Sequence, residues 1–215
     1  TIDRVRAEDP QREQRFTEFD ALLQLDKGLP RVEPAGFIFH SSRCGSTLLA
    51  NACRLLTNSI VLSEPSAIDK LVVRFITDAH DAVKESLYSV FLRAVVNALA
   101  QRENGNGHRV VIKFSCCSIS ELERIRRIWP RVPWVFLYRD PVETIVSNMT
   151  SPPAWLLDED HRVLAHITGT STVAIAEMSL EERCARSIGS FFSTAHTLAN
   201  DNSILLNYNQ LSSPS

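Results

Sequence analysis

The feature that most constrains the fold is the stretch from Gly36 to Leu49, which reads GFIFHSSRCGSTLL. An apolar run at 37–39 gives way to a loop of small and polar residues, and an apolar helical pattern starts directly after the loop. A strand, a tight loop and a helix in this order place the free N–H groups and the positive dipole end of the helix at the loop. The stretch therefore predicts a site for an anion such as a phosphate group.

The loop residues supply groups that suit an anion: a close backbone approach at glycine, hydroxyl donors and a fixed positive charge. We predict that the anion is held by Ser42, Arg43, Cys44, Gly45, Ser46 and Thr47. The loop is not a Walker A motif, which ends in Gly-Lys-Ser/Thr, because no lysine stands between Cys44 and Leu49. Cys44 is interpreted mainly as a small loop residue, although a thiol pKa can fall near a helix N-terminus.

Length and composition indicate a globular chain. We expect a single domain over 1–215, with 44% apolar and 22% charged residues. A net charge of −2 argues against a general binder of nucleic acids or of anionic membranes. No apolar run is long enough to span a bilayer, and no secretory signal is visible. The five cysteines lack the spacing of a disulfide scaffold or a zinc site, which favours reduced thiols and a cytoplasmic location.

Strand patterns alternate with helical patterns along the chain. Strands are predicted at 36–40, 60–62, 110–114, 134–138 and 204–208. Helices are predicted at 11–26, 46–57, 67–100, 118–128, 142–149 and 180–199, with a turn at 104–107 and a weakly helical or irregular segment at 151–179. The alternation predicts an α/β fold: a P-loop-type three-layer sandwich with a central parallel sheet flanked by helices.

The polar residues of interest all follow predicted strands, where ligands of parallel sheets bind. They are Arg43, Glu64, Lys113 and Arg139. Arg139 opens an Arg-Asp-Pro segment, and Ser147 follows it by eight residues on the next predicted helix. Since an arginine can grip a phosphate with two hydrogen bonds, Arg139 and Ser147 are predicted to form a second phosphate site.

Together these motifs resemble the sulfotransferase superfamily, whose members transfer a sulfuryl group from 3′-phosphoadenosine-5′-phosphosulfate (PAPS). HSSRCGSTLL is similar to the family's 5′-phosphosulfate loop, in the form typical of carbohydrate, protein-tyrosine and many bacterial members. FLYRDPVETIVSNM resembles the 3′-phosphate motif. VLSEP resembles the strand that often carries the catalytic Glu in the Golgi-type branch, and VIKFS the strand whose Lys lies beside the acceptor. The last strand, in ILLNYNQL, resembles a segment that commonly ends Tyr-Glu-Asp-Leu.

The resemblance implies a PAPS-dependent sulfotransferase that needs no metal. In it the loop would hold the 5′-phosphosulfate, while Arg139 and Ser147 would hold the 3′-phosphate. Glu64 would take the proton of a hydroxyl or amine acceptor, and Arg43 and Lys113 would neutralise charge on the transferring group. The acceptor stays open among small molecules, glycans and peptides, as does the oligomeric state. Many relatives have a further C-terminal segment over the nucleotide, which in this domain is either absent, supplied differently or removed by truncation.

Two other functions stay open from the sequence. Asp140 after an apolar strand imitates the Walker B carboxylate of a P-loop kinase or NTPase, and a catalytically inactive nucleotide-binding domain would share the same motifs. Individual residues also have plainer interpretations. Glu64 could cap the following helix, Lys113 could extend its stem along the core, and His40 fits a hydrogen-bonded histidine near the core better than a base.

Overall fold

A computed structural model describes residues 19–78, 82–101 and 109–212. All five strands in these ranges follow the strand predictions closely. They are β1 Pro34–His40, β2 Ser59–Ser63, β3 Arg109–Lys113, β4 Trp134–Tyr138 and β5 Ser203–Asn207. They form one sheet in the order β2-β3-β1-β4-β5, and every neighbouring pair is parallel. The predicted parallel sheet is confirmed.

Helices connect the strands, as parallel pairing requires. Those in the described ranges are α1 Phe19–Gly28, α2 Ser46–Arg54, α3 Ser66–Thr77, α4 Ala82–Leu99, α5 Leu122–Ile128, α6 Pro141–Thr150, α7 Arg162–Thr168, α8 Thr172–Glu177, α9 Leu180–Thr197 and α10 Tyr208–Ser212. A 3₁₀ helix, Cys116–Glu121, precedes α5. None of these helices is long and apolar enough to cross a membrane.

The main core lies on one face of the sheet. Alternate residues of β1, β2, β3 and β4 point to this face, and buried residues of α3, α4, α5 and α9 pack against them. Phe39 and Phe114 stack at its centre with their ring planes nearly parallel and their centroids 4.9 Å apart. Both rings are fully buried, which fixes β1 beside β3 through packing as well as through the backbone ladder.

α2 lies over the opposite face and forms the third layer. Leu49 and Cys53 of this helix line a cavity of about 380 Å³ together with Ile38 and Val111 of the sheet. The cavity also touches Trp134 at the start of β4, so it lies toward the amino ends of the strands. It is therefore separate from the carboxyl ends, where the predicted site residues lie.

Several helix boundaries differ from the predictions. The segment 67–100, predicted to be helical in one or two pieces, forms the two helices α3 and α4, whereas the predicted helix 118–128 begins as the 3₁₀ helix. α2 ends at Arg54 rather than at 57, because the N–H of Leu55 bonds to the carbonyl of Ala52 at 3.1 Å and the N–H of Leu56 bonds to the carbonyl of Cys53 at 3.3 Å. The segment 151–179 contains the short helices α7 and α8. The predicted turn at 104–107 and the part 11–18 of the first helix lie outside the described residues.

The last strand begins and ends one residue earlier than predicted, and Tyr208 begins α10 instead of ending β5. The side chain of Asn207 causes this turn, since its Oδ1 accepts a hydrogen bond of 2.9 Å from the N–H of Asn209. The Oε1 of Gln210 in turn accepts the N–H of Asn207 at 2.8 Å. The side-chain amide of Gln210 thus closes the turn, whereas the family that the sequence resembles commonly has a carboxylate in this segment.

Candidate functional site

The carboxyl ends of the central strands bring the predicted site residues to one edge of the sheet. Lys113 is the last residue of β3, Glu64 directly follows β2, and Arg139 directly follows β4. The predicted anion loop, 41–45, follows β1 between them. The arrangement agrees with the expectation that one cleft gathers these residues.

The loop after β1 has an unusual backbone. Ser42, Arg43 and Gly45 have positive φ angles of 71°, 46° and 81°. Such angles strain residues other than glycine and are kept only where surrounding contacts enforce them. Here the N–H of Ser41 donates to the carbonyl of Leu137 at 3.1 Å, which ties the loop to β4. The strain lies at the predicted anion site.

The N-terminus of α2 carries no side-chain cap. Gly45 is the residue before the helix, and it makes no side-chain capping bond to the first N–H groups. Ser46 is buried and Thr47 is exposed, but neither occupies the capping position. The uncapped N–H groups and the helix dipole leave this end suited to an anion.

Cys44 faces the interior of the protein instead of the loop surface. Its Sγ donates to the carbonyl of Leu137 at 3.1 Å, and the residue is almost fully buried. Burial raises the pKa of this thiol and outweighs the hydrogen bonds from Ser41 and from the backbone of Ser46 at the start of α2, which act to lower it. The raised pKa leaves Cys44 as a small packing residue of the loop.

Two hydrogen bonds join the loop to α6, the helix that carries Ser147. The hydroxyl of Ser42 donates to Oδ1 of Asn148 at 3.1 Å. Nη2 of Arg43 donates to the carbonyl of Ser151 at 2.7 Å, directly after the end of α6. The two predicted phosphate motifs are therefore in direct contact, although about a hundred residues separate them in the sequence.

The second motif begins with a capped helix. Oδ1 of Asp140 accepts the N–H groups of Val142 and Glu143 at 2.9 and 3.1 Å, and Pro141 is the first helical residue. Nε of Arg139 bonds to Oε2 of Glu143 at 2.5 Å. Ser147 lies in the second turn of α6 and is half-buried. The Asp140 cap thus fixes where α6 starts relative to Arg139.

A hydrogen-bonded network links the ends of β1, β2 and β3. Lys113 Nζ and His40 Nε2 both bond to Oε1 of Glu64, the histidine at 3.1 Å. The N–H of Ser42 donates to Nδ1 of His40 at 3.2 Å, so the proton of the neutral ring must lie on Nε2. The network therefore connects the carboxylate to the backbone of the anion loop.

The surroundings favour one protonation state for Glu64 and for His40 in this network. Burial alone would raise the pKa of Glu64, but the hydrogen bonds and charges of His40 and Lys113 lower it to about 2. Burial lowers the pKa of His40, which favours the neutral ring. Lys113 is only 3% exposed, and Glu64 is its counter-charge. The interpretation of Glu64 as a helix cap is wrong, because Pro65 holds the capping position of α3 and no side chain caps that helix.

Three residues at this edge were not singled out by sequence reasoning: Asp69, Asn148 and Tyr208. Asn148 is fully buried in α6 and receives the Ser42 hydroxyl. Asp69 lies in the first turn of α3, beside the buried Ile68. The signal that the sequence offered for such residues is a polar residue next to buried apolar positions on a helix. Only the packed structure shows which of these polar residues are enclosed.

Asp69 is a second carboxyl group near Glu64. Its Oδ1 is buried and accepts no hydrogen bond within the described residues. Burial raises the pKa of Asp69 to about 6 against the lowering effect of Ser115, and the charge of Glu64 raises it further. The two carboxyl groups at this edge thus have pKa values displaced in opposite directions, a pattern found at acid–base sites.

Metal ligands and disulfides are also informative. In the ranges that the structure describes, no group of three or more His, Cys, Asp or Glu residues is arranged to hold a metal ion. All five cysteines lie in those ranges, and all are free thiols.

Comparisons with known proteins identify the fold. No protein-family model matches the chain, and no curated protein matches it. A sulfotransferase domain from the curacin biosynthetic pathway superposes with a TM-score of 0.50 and 15% identity, over 85% of this chain and 69% of that chain. A sulfotransferase from Alicyclobacillus acidocaldarius gives a TM-score of 0.52 and 12% identity, over 84% and 75%. The chain thus has an α/β, sulfotransferase-like three-layer sandwich fold.

The raised pKa of Asp69 makes stability depend on pH. A carboxyl group whose pKa rises from 3.8 to about 6 on folding stabilises the native state below pH 3.8, and this contribution is lost as the pH rises through 6. Asp69→Asn removes the ionisable group, so we expect it to stabilise the protein at pH 7.5 by about 1–3 kcal/mol and to have little effect at pH 4. Urea denaturation at both pH values measures the difference.

Asp160→Asn is the matched control, because Asp160 is exposed and pairs with Arg162 at the surface. This variant should show no comparable gain at pH 7.5. An equal effect of Asp69→Asn at pH 4 and pH 7.5 would contradict the burial of an ionisable carboxyl group.

Proposed function

We propose that this protein is a sulfotransferase that moves a sulfuryl group from PAPS to a hydroxyl or amine acceptor. The observation that carries the proposal is the contact between the loop after β1 and α6, made by Ser42 with Asn148 and by Arg43 with Ser151. Two anion-binding motifs held side by side suit a nucleotide with charged groups at both its 5′ and 3′ positions. The likeness of the fold to two sulfotransferases supports the same conclusion.

The residues present fit such a donor. The uncapped N-terminus of α2 and the loop residues 42–47 would hold the 5′-phosphosulfate through N–H and hydroxyl groups. Arg139 and Ser147 would hold the 3′-phosphate. Arg139 would then exchange its bond to the Glu143 carboxylate for bonds to the phosphate.

PAPS supplies the sulfuryl group: the acceptor atom bonds to its sulfur while the bond from sulfur to the bridging oxygen breaks and adenosine 3′,5′-bisphosphate leaves. Glu64 takes the acceptor's proton, and Lys113 and Arg43 offset the charge on the sulfuryl and bridging oxygens, where one such donor is worth about 3–4 kcal/mol. Glu64 is a weak base while Lys113 and His40 both bond to it. If the Lys113 ammonium shifted toward the donor, the pKa of Glu64 would rise and Glu64 would become a stronger base.

The acceptor, whether a small molecule, a glycan or a peptide, would reach this edge beside Glu64 and Asp69. A P-loop kinase or NTPase fits less well. The loop lacks the Walker lysine, and Oδ1 of Asp140 is held by two backbone N–H groups as a helix cap. A nucleotide-binding domain without activity would bind the same nucleotides as the proposed sulfotransferase and would differ from it only in the absence of turnover.

The choice of nucleotide is the first test. We expect adenosine 3′,5′-bisphosphate to raise the melting temperature more than ATP–Mg does, because Arg139 and Ser147 offer a site for a 3′-phosphate. A ligand at a hundredfold excess over its Kd stabilises the native state by about 2.7 kcal/mol. Thermal unfolding with each nucleotide at equal concentration measures the order. Greater stabilisation by ATP–Mg would favour the NTPase alternative.

The role of Arg139 is tested with two nucleotides. Arg139→Ala should weaken adenosine 3′,5′-bisphosphate by about tenfold or more and adenosine 5′-phosphate by little, since only the former has a 3′ group. Glu143→Gln is the companion variant, and it should strengthen the bisphosphate because it removes the competing carboxylate. Isothermal titration calorimetry gives both affinities. Equal losses for the two nucleotides in Arg139→Ala would place this arginine away from the 3′-phosphate.

Glu64 as general base is tested by Glu64→Gln, which keeps the shape of the side chain and removes its basicity. We expect kcat to fall about 10²–10⁴-fold while bisphosphate binding is kept. Activity is measured with a panel of phenols, sugars and amines as acceptors, and circular dichroism checks the fold, because the buried Lys113 loses its counter-charge. Glu123→Gln, at an exposed carboxylate, is the control. A folded Glu64→Gln with normal kcat would move the base to Asp69 or His40.

A further inference from the structure

Ser42, in the anion loop, uses both of its hydrogen-bond donors inside the protein. Its backbone N–H donates to Nδ1 of His40 at 3.2 Å, and its hydroxyl donates to Oδ1 of Asn148 at 3.1 Å. A hydroxyl has a single hydrogen, so in this arrangement neither donor of Ser42 is directed at an anion. Ser42 therefore sets the path of the loop instead of donating to the 5′ group.

Asn148 is not explained by the stability of the buried interior. The residue is fully buried in α6, and within the described residues its Nδ2 makes no hydrogen bond. The thiol of Cys184 on α9 lies near it, but a thiol is a weak acceptor. A buried amide with an unpaired N–H group destabilises a protein, and an apolar side chain of the same size would avoid that cost. What the amide offers at this position is its bond to Ser42.

The bond from Asn148 continues into the network of the proposed base. Because the N–H of Ser42 occupies Nδ1 of His40, the ring carries its proton on Nε2, which bonds to Oε1 of Glu64 at 3.1 Å. Asn148 directly follows Ser147, the residue proposed to hold the 3′-phosphate. A continuous series of hydrogen bonds therefore runs from α6 through the anion loop to Glu64.

We propose that Asn148 is a positioning residue that holds Ser42 and, through Ser42, sets both the path of the anion loop and the orientation of the His40 ring. The proposal rests on the proposed function for the identity of the ligand, whereas the effect on His40 is independent of it. It narrows the direct contacts of the 5′ group to residues 43–47 of the loop.

Nucleotide binding by Asn148→Leu is the first test, since this variant keeps the size of the side chain and removes the acceptor. We expect it to weaken adenosine 3′,5′-bisphosphate and adenosine 5′-phosphate alike, each by about three- to tenfold, as for the loss of one hydrogen bond. Isothermal titration calorimetry measures both affinities. Affinities equal to those of the wild type, or a loss confined to the bisphosphate, would overturn the proposal.

Thr144→Val is the matched control for this variant. Thr144 is also fully buried in α6, and in the ranges that the structure describes its Oγ1 makes no hydrogen bond. Since its hydroxyl has no bond to the loop, Thr144→Val should bind both nucleotides like the wild type. Equal losses in Thr144→Val and Asn148→Leu would show a general effect of buried polar groups in α6 and would contradict a specific role of Asn148.

The link to His40 is tested without any nucleotide, by a pH titration of the histidine side chains followed by NMR. The N–H of Ser42 favours the neutral ring by donating to Nδ1, so its displacement in Asn148→Leu should raise the pKa of His40 above that in the wild type. Glu64 and Lys113, the charged groups beside the ring, are the same in all variants. An unchanged pKa of His40 in Asn148→Leu would overturn this link.

A double-mutant cycle with Ser42→Ala tests whether Ser42 acts through Asn148. Ser42→Ala added to Asn148→Leu should cause no further loss of nucleotide affinity. A further loss would show that the hydroxyl contacts the 5′ group directly and would overturn the proposal. Ser42→Ala breaks the same hydrogen bond from its other side, so it replaces Asn148→Leu in both measurements if that variant does not fold. Failure of the wild type to bind either nucleotide would overturn the proposed function, while the titration of His40 would still test the role of Asn148.

Discussion

The buried ammonium of Lys113 sets the geometry of the strand ends around it. A charge this well enclosed is tolerated only with a partner of opposite charge, and Glu64 is that partner. To reach it, Glu64 adopts a φ of 47° and donates its own N–H to the carbonyl of Lys113 at 2.7 Å. His40 completes the set from β1. The requirement to neutralise one cation therefore brings three strand ends together.

The same network reaches the anion loop through His40. Its Nδ1 accepts the N–H of Ser42, one of the loop residues with a positive φ, while its Nε2 donates to Glu64. A neutral histidine with this tautomer suits both bonds, and burial lowers the pKa in the direction that keeps the ring neutral. The side chain that orients the carboxylate thus also holds the strained loop, so the proposed base and the proposed donor site share one support.

The sequence predicted the features that depend on local pattern. The five strands could be predicted because buried apolar runs end at polar or turn-forming residues. The start of α6 could be predicted from the segment that contains Asp140 and Pro141. Properties that depend on packing could not be predicted from the sequence. Burial of Cys44 raises its pKa by more than the nearby hydrogen bonds lower it, and the enclosure of Asp69 depends on how α3 lies against the sheet. Tyr208 was taken as a strand residue because the Asx-type turn before it has no apolar signature.

Two of the three cations proposed to meet the donor already have carboxylate partners: Lys113 pairs with Glu64, and Arg139 pairs with Glu143. An incoming anion gains only the difference between its own contacts and those it displaces, so charge alone gives little advantage. The distance between the charged groups of a ligand then decides how well it binds. A ligand with one anionic group can replace the carboxylate at only one of these two cations, whereas a ligand whose two anionic groups are the right distance apart can replace both.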